Sequence, residues 1–219
     1  MKFFNGTNFR ESAKSAENDY LHILVTDNGS LTVSHKESGR VFFEMPTLLI
    51  GQKDTYSYCT HAQVQKCRRE GGVVFDITQK LNAPIIHNGG VPALQQPIVF
   101  MNTGIMDDND EALTVTSSLC LPDDFFDMGY EAVLRFPCGM DYPQINGAPY
   151  GNATFLHIPI ANTIELTDEN GENVSLLNTS DFELEASVTE DGNLDVKIPS
   201  IAPVNEIGLI DFGFTVSFS

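Results

Sequence analysis

Five histidines and thirty acidic residues are the side chains of this 219-residue chain that could carry acid–base or metal chemistry. No two histidines are two or four positions apart, the spacings that would place two imidazoles on a shared metal ion. His87 lies in a segment rich in proline and glycine, where active-site residues are often found. An enzyme built on His87 would need a carboxylate within hydrogen-bond reach of its imidazole.

The acidic residues are too numerous for any pair of them to indicate a glycosidase, which needs two carboxyl groups at a defined separation. Three acidic turns, at residues 107–111, 168–172 and 190–195, could supply oxygen ligands to Ca²⁺. None follows the EF-hand spacing, and Asp, Asn and Gly favour turns without any ion. The sequence also lacks nucleophile-elbow, phosphate-loop and zinc-protease motifs. We therefore predict no catalytic residue, no metal site and no cofactor, with calcium in the acidic turns as the alternative.

Four tyrosines are candidates for a contact surface rather than for chemistry. Tyr56 and Tyr58 alternate along a predicted strand, whereas Tyr142 and Tyr150 lie in the segment 137–151, which holds three prolines and three glycines. Tyrosine offers a large contact area at low entropic cost, so these side chains and His87 could contact a protein or a glycan. Packing of the two loop tyrosines onto the sheet is the alternative, and the absence of tryptophan counts against a sugar platform.

The net charge of −18 is distributed unevenly along the chain. Residues 1–80 hold ten of the twelve basic residues against nine acids, whereas residues 81–219 hold only Arg135 and Lys197 against twenty-one acids. Such a surface repels nucleic acid and anionic membranes, so we predict neither as a partner. The alternatives for the charge are a solvated surface and a bipolar subunit whose near-neutral half docks on an acidic neighbour.

Targeting and redox signals are weak. The N-terminal residues contain no apolar stretch of the signal-peptide kind, and no run reaches the ~18 apolar residues of a membrane span. The spacing of the four cysteines matches no zinc pattern. We predict free, buried thiols in a reducing cytosol, with a Cys59–Cys67 bridge as the alternative in an oxidising compartment. The predicted location is a virion or the host cytoplasm.

Residues 18–44 predict a three-stranded antiparallel meander, with strands at 20–25, 31–34 and 41–43. Its first turn is Asp27-Asn28-Gly29, because Asn and Gly tolerate positive φ. The preceding segment 10–18 has no apolar stripe and is expected to be a connector or a single helical turn. Pro122, with acids in the following turn, predicts a short helix that runs to about Met128.

The C-terminal segment alternates strictly between apolar and small or polar residues. The apolar set that shares one face is Ile210, Phe212, Phe214, Val216 and Phe218. One buried and one solvated face is typical of an antiparallel sheet, and the strand is expected to be central or paired with a neighbouring subunit. About fourteen strands predict an all-β antiparallel sandwich, jelly-roll or immunoglobulin-like, with residues 1–140 and 141–219 as two packed β domains or as parts of one sandwich.

Four segments carry a family resemblance: Glu17-Asn18-Asp19-Tyr20-Leu21, Asn28-Gly29-Ser30-Leu31-Thr32-Val33, Lys36-Glu37-Ser38-Gly39-Arg40-Val41-Phe42 and Asp54-Thr55-Tyr56-Ser57-Tyr58. Together, residues 17–58 resemble the opening of the β-sandwich that follows the catalytic domain in family 38 glycoside hydrolases, the α-mannosidases. The catalytic domain of that family and its metal-binding His and Asp residues are absent from this sequence, so no catalytic residue carries over. The resemblance implies a carbohydrate-associated β-sandwich.

Three functions fit these observations. The sequence favours a non-catalytic structural subunit of a homo-oligomer or larger assembly, such as a tail, baseplate or capsid-decoration protein of a phage or virus, with segments 82–98 and 137–151 at its contacts. The alternative is a carbohydrate-binding β-sandwich or a glycosidase accessory module, which predicts exposed aromatic side chains beside acids and amides. An enzyme that uses His87 is the third possibility.

Overall fold

The described part of the chain consists of antiparallel strands and turns, which confirms the all-β prediction. This computed structural model describes residues 14–37, 41–44, 47–52, 55–81, 87–88, 91–92, 98–122, 125–127, 129–136, 144–149, 155–189, 191 and 193–218. The strands, numbered in chain order, are β1 Ser15–Glu17, β2 Leu21–Val25, β3 Leu31–His35, β4 Val41–Glu44, β5 Thr47–Gln52, β6 Thr55–Tyr58, β7 Gln63–Arg69, β8 Gly72–Leu81, β9 His87–Asn88, β10 Val91–Pro92, β11 Ile98–Asp107, β12 Ala112–Cys120, β13 Glu131–Phe136, β14 Gln144–Ile145, β15 Ala148–Pro149, β16 Phe155–Ile158, β17 Thr163–Thr167, β18 Asn173–Asn178, β19 Leu184–Val188, β20 Leu194–Lys197 and β21 Leu209–Phe218.

Three sheets make up the body of the molecule. The nine-stranded sheet has the order β15-β14-β17-β18-β21-β12-β11-β8-β7. The six-stranded sheet has the order β16-β19-β20-β13-β5-β6, and the meander forms a third sheet, β1-β2-β3-β4. Strands β9 and β10 pair only with each other among the described residues. Both larger sheets contain strands from before and after residue 140.

The nine-stranded sheet has one buried face, and the pattern of β8 shows which one. Phe75 is buried whereas its neighbour Asp76 is exposed. Across the sheet, Phe75 lies opposite Gly104, Gly104 opposite Val115, and Val115 opposite Phe214. Directly opposed residues point to the same face, so these four positions define the inner face from β8 to β21.

The other two sheets share the cover of this inner face. Cδ1 of Leu31, in the meander, lies 3.5 Å from the position that a Cβ on Gly104 would occupy. Phe136, in the six-stranded sheet, packs edge-to-face on Phe214 with ring centroids 5.8 Å apart. Buried side chains of all three sheets therefore join in one apolar core.

The predicted meander is confirmed in its three strands, but it has a fourth that the sequence did not indicate. Residues 15–17 form β1 and pair with β2, with Ala16 opposite Ile23. The expectation of a connector or helical turn is wrong for these residues. An edge strand of three residues can bury a single apolar side chain on its inner face, and here that side chain is Ala16. A single apolar residue produces no periodic pattern in the sequence, so the strand was not predicted.

The helix predicted after Pro122 is wrong within the described residues, which form turns there. The amide of Phe125 donates to the Pro122 carbonyl at 3.0 Å, and that of Gly129 to the Phe126 carbonyl at 2.9 Å. Phe125 is fully buried and stacks on Tyr130 with ring centroids 5.4 Å apart. Burial of the Phe125 ring directs the backbone back towards the core after one turn, so the chain does not continue as a helix.

The segment 137–151 is not irregular throughout. Strands β14 and β15 form a hairpin within it and extend the nine-stranded sheet beside β17. Its central residues, Asn146 and Gly147, have φ of 49° and 74°, the positive values that a type I′ turn requires. In the segment 82–98, the described residues include the short strands β9 and β10.

The C-terminal strand is central in its sheet, one of its two predicted positions. Strand β21 lies between β18 and β12; β12 pairs with its residues 209–217 and β18 with its residues 214–218. Its buried residues follow the predicted alternation. Residues 214–217 of this strand are therefore paired on both edges within the chain.

The turn of the first hairpin holds the meander on the nine-stranded sheet. Gly29 has a φ of 90°, and a Cβ there would lie 2.5 Å from Nε2 of Gln79, 2.8 Å from Cβ of Ala62 and 2.9 Å from Cγ2 of Ile77. The same Gln79 amide donates to the carbonyl of Asn28 at 2.8 Å. Glycine is thus required at position 29 both for backbone conformation and for space.

We expect Gly29→Ala to lower the free energy of unfolding by about 3–5 kcal/mol, because it combines a strained positive φ with overpacking. Gly171→Ala is the matched control, since Gly171 has a φ of 85° but no atom within 4 Å of the position that a Cβ would occupy. The control should cost about 1–2 kcal/mol from backbone strain alone. Urea unfolding of both variants measures the difference, and equal losses would contradict the packing role of Gly29.

Candidate functional site: the charged face of the six-stranded sheet

The six-stranded sheet turns one face to the core and the other outward. In β13, Ala132, Leu134 and Phe136 are buried in the core, so Glu131 and Arg135 point the opposite way. The register continues this outward face over all six strands. We call it the charged face, and its side chains include Tyr56, Tyr58, Glu131, Arg135, Phe155, His157, Glu185, Asp195 and Lys197.

A bidentate ion pair lies at the centre of the charged face. Arg135 and Asp195 are directly opposed on β13 and β20. Nε of Arg135 donates to Oδ1 of Asp195 and Nη2 donates to Oδ2, both at 2.7 Å. These hydrogen bonds raise the pKa of the Arg135 guanidinium. The two-point contact fixes the orientation of the guanidinium plane and neutralises its charge.

A second group of hydrogen bonds links Tyr56, Glu131 and Lys197. The Tyr56 hydroxyl donates to Oε2 of Glu131 at 3.0 Å, and Nζ of Lys197 donates to Oε1 at 2.8 Å. Gly51 lies between Tyr56 and Glu131 in the register, so no side chain separates the ring from the carboxylate. Partial burial and the hydrogen bond to Glu131 raise the pKa of the Tyr56 phenol.

Aromatic side chains occupy both edges of the charged face. Tyr58, on the edge strand β6, is 58% exposed, and Phe155, on the opposite edge strand β16, is 57% exposed. His157 packs edge-to-face against Phe155 with ring centroids 6.0 Å apart. Its Nδ1 lies 3.9 Å from Oε2 of Glu183. Each edge thus presents an apolar ring next to polar groups.

The residues predicted from sequence divide into two groups. Tyr56 and Tyr58 lie together on the charged face, as alternating residues of one strand should. Tyr142 and Tyr150 fall outside the described residues. The backbone of His87 lies in β9, but its side chain is also outside them, so its role stays a prediction.

The ion pairs and Phe155 were missed by sequence reasoning. Arg135 and Asp195 are sixty residues apart, and only the strand register brings them together. One signal was available: Arg135 and Lys197 are the only two basic residues after residue 81, and each occupies a predicted strand. The structure places both on the charged face, each bound to a carboxylate.

Other candidate chemistry has local structural roles. In the turn 168–172, Oδ1 of Asp168 accepts hydrogen bonds from the amides of Asn170 and Glu172 at 2.8 and 2.9 Å. No group of three metal-binding side chains is found among the described residues. Cys59 and Cys67 are both free thiols, so the alternative of a bridge between them is wrong. Cys59 is buried as predicted, but Cys67 is exposed, so the prediction of a buried thiol is wrong there. In the described part of the chain, no helix has the length and apolar character needed to cross a membrane.

Comparison with known proteins identifies similar structures but no similar sequence. No protein-family model and no curated protein matches the chain. An alpha-mannosidase from Enterococcus faecalis V583 has a TM-score of 0.70 at 14% identity, over 95% of this chain and 29% of its own. A glycosyl hydrolase family 38 protein from Enterococcus faecalis has a TM-score of 0.70 at 16% identity, and the match covers 95% of this chain and 30% of that protein. A 4-alpha-glucanotransferase from Thermococcus litoralis has a TM-score of 0.54 at 10% identity, and the match covers 93% of this chain and 36% of that protein.

At these identities the likeness is one of fold. It confirms the resemblance to the family 38 β-sandwich and extends it from residues 17–58 to nearly the whole chain. This chain spans less than a third of either family 38 protein. These matches give no support to a virion protein.

Tyr56→Phe should reduce the loss of stability at alkaline pH. The pKa of Tyr56 is raised in the folded chain, so unfolded chains release the phenolic proton first, from about pH 10. This stabilisation is complete below about pH 10 and is lost as the pH rises through the folded-state pKa. We expect the free energy of unfolding to fall less steeply above about pH 10 in Tyr56→Phe than in the wild type.

Urea unfolding at a series of pH values measures this slope. Tyr58→Phe removes a hydroxyl from the exposed ring on the same strand and serves as the control. Parallel pH profiles of the wild type and Tyr56→Phe would show that the pKa of Tyr56 is not raised in the folded chain.

Proposed function

We propose that this chain is a non-catalytic β-sandwich module of a carbohydrate-active protein and that its charged face contacts a glycan. The observation that carries the proposal is the fold likeness over 95% of this chain to a segment of an alpha-mannosidase. The second family 38 protein and the 4-alpha-glucanotransferase add to it.

The chemistry of the charged face suits a sugar. Pyranose rings have apolar faces that pack on exposed aromatic rings, and Tyr58 and Phe155 are such rings. Sugar hydroxyls both donate and accept hydrogen bonds, and the face alternates carboxylates with cationic donors. The ion pairs hold these groups in place before a ligand arrives, which lowers the entropic cost of binding.

The charges of the face favour an uncharged glycan. Arg135 and Lys197 are each bound to a carboxylate, and Glu185 adds a further negative charge. The whole chain carries a net charge of −18. An anionic glycan would be repelled by this field, whereas a neutral one would bind with little dependence on salt.

A second function is supported by a separate surface, the loop between β20 and β21. Ile201 and Ile207 are 89% and 79% exposed there. The loop is ordered by Asn205, whose Oδ1 accepts hydrogen bonds from the amides of Ile207 and Leu209 at 3.0 and 2.9 Å. A contiguous exposed apolar patch is typical of protein contacts, and we propose that these isoleucines form such a patch and mediate self-association as the second function.

Tyr58→Ala should weaken binding of neutral oligosaccharides about tenfold, as expected if loss of ring packing costs about 1.4 kcal/mol. Mannose- and glucose-containing oligosaccharides are the first probes, chosen from the names of the similar proteins. Calorimetric titration measures the affinity. Tyr20→Ala is the matched control, because Tyr20 is an exposed tyrosine on the meander and should not affect binding. A glycan screen without binding, or equal affinities for both variants, would contradict the proposal.

If the loop mediates self-association, Ile201→Ser combined with Ile207→Ser should weaken the oligomer at least tenfold, because each buried isoleucine contributes about 1.5–3 kcal/mol. Light scattering at low and high salt gives the native mass, and high salt should strengthen association by screening the net charge. Ile160→Ser changes an exposed isoleucine elsewhere and is the control. A monomeric wild type at both salt concentrations would exclude this function.

A further inference from the structure

The two exposed aromatic residues of the charged face lie at opposite edges of one sheet. Tyr58 is on β6 and Phe155 on β16, the first and last strands of the six-stranded order. Five strand spacings of about 4.8 Å separate these edges, or about 24 Å in total. A monosaccharide cannot reach both rings, but an extended oligosaccharide can.

A continuous row of residues connects the two edges. The directly opposed positions, from edge to edge, are Tyr58, Leu49, Val133, Lys197, Glu185 and His157. Leu49 and Val133 are buried despite their outward register. The half-exposed Lys197 and Glu185 provide the polar groups of this row.

The neighbouring row adds directional hydrogen-bonding groups. In it, Phe155 lies opposite Ser187, Ser187 opposite Asp195, and Asp195 opposite Arg135. The described ion pairs use two of the five N–H groups of Arg135 and one of the three of Lys197. The middle of the charged face can therefore donate hydrogen bonds to sugar hydroxyls, and its two edges carry the aromatic rings of Tyr58 and Phe155.

We propose that the charged face is one extended site for a linear, uncharged oligosaccharide that lies across the strands, with one end on Tyr58 and the other on Phe155. This inference rests on the proposed function and adds the shape, charge and minimum length of the ligand. Lys197, Glu185 and Arg135 bind the hydroxyl groups of the intervening sugars, while the buried Asp195 holds Arg135 in place. Affinity accordingly increases with ligand length until the chain reaches both edges.

The test is a series of linear neutral oligosaccharides of glucose and of mannose, from two to eight residues, titrated into the wild type and two variants by calorimetry. The wild type should bind the long members about tenfold more tightly than the short ones, through the added ring contact at Phe155. Phe155→Ala should abolish this increase. Phe155→Tyr keeps a ring at the position and should retain the increase.

The outcomes separate this inference from the proposed function. Binding that does not depend on length, or a length dependence that Phe155→Ala leaves unchanged, would overturn the extended site while the glycan-binding function stands. No binding at any length would overturn both. Phe155 is largely exposed, so its variants should unfold in urea as the wild type does, and this measurement guards against a folding defect.

Discussion

A single apolar face of the nine-stranded sheet has to be shielded from water along its whole width. Its buried residues extend from Phe75 on β8 to Leu166 on β17. No six-stranded sheet is wide enough to cover nine strands at the same spacing. Two smaller sheets therefore cover the apolar face together. The meander lies over Gly104 and the six-stranded sheet lies over Phe214.

The parts of this fold that the sequence predicts are those set by local signals. The Asp27-Asn28-Gly29 turn and the alternation of 210–218 depend on neighbouring residues alone. Strand β1 depends on pairing with β2, and its own residues give no sign of it. Asn146-Gly147 did carry a hairpin signal, which the prolines around it obscured. The charged face depends on register between distant strands, so only Tyr56 and Tyr58, neighbours on one strand, were predicted as a pair.

The fold brings together the few basic residues of the acidic part of the chain. The last 139 residues contain two basic side chains, and both lie on the outward face of one sheet, bound to carboxylates. Much of the remaining surface of this region is acidic. The charged face is therefore a local exception to the strong negative field of the protein, where another molecule approaches with less electrostatic repulsion.

The central position of β21 has a consequence for the order of events in folding. Its partner β12 lies about a hundred residues earlier in the chain, as the contact between Thr114 and Thr215 illustrates. Until β21 arrives, β12 and β18 have no common neighbour and the nine-stranded sheet exists only as two separate halves. Closing such a long loop carries an entropic cost before any contact is gained. The sheet should therefore form late and slowly. During synthesis the two halves would expose an apolar face and unpaired strand edges, which chaperones or other nascent chains can bind.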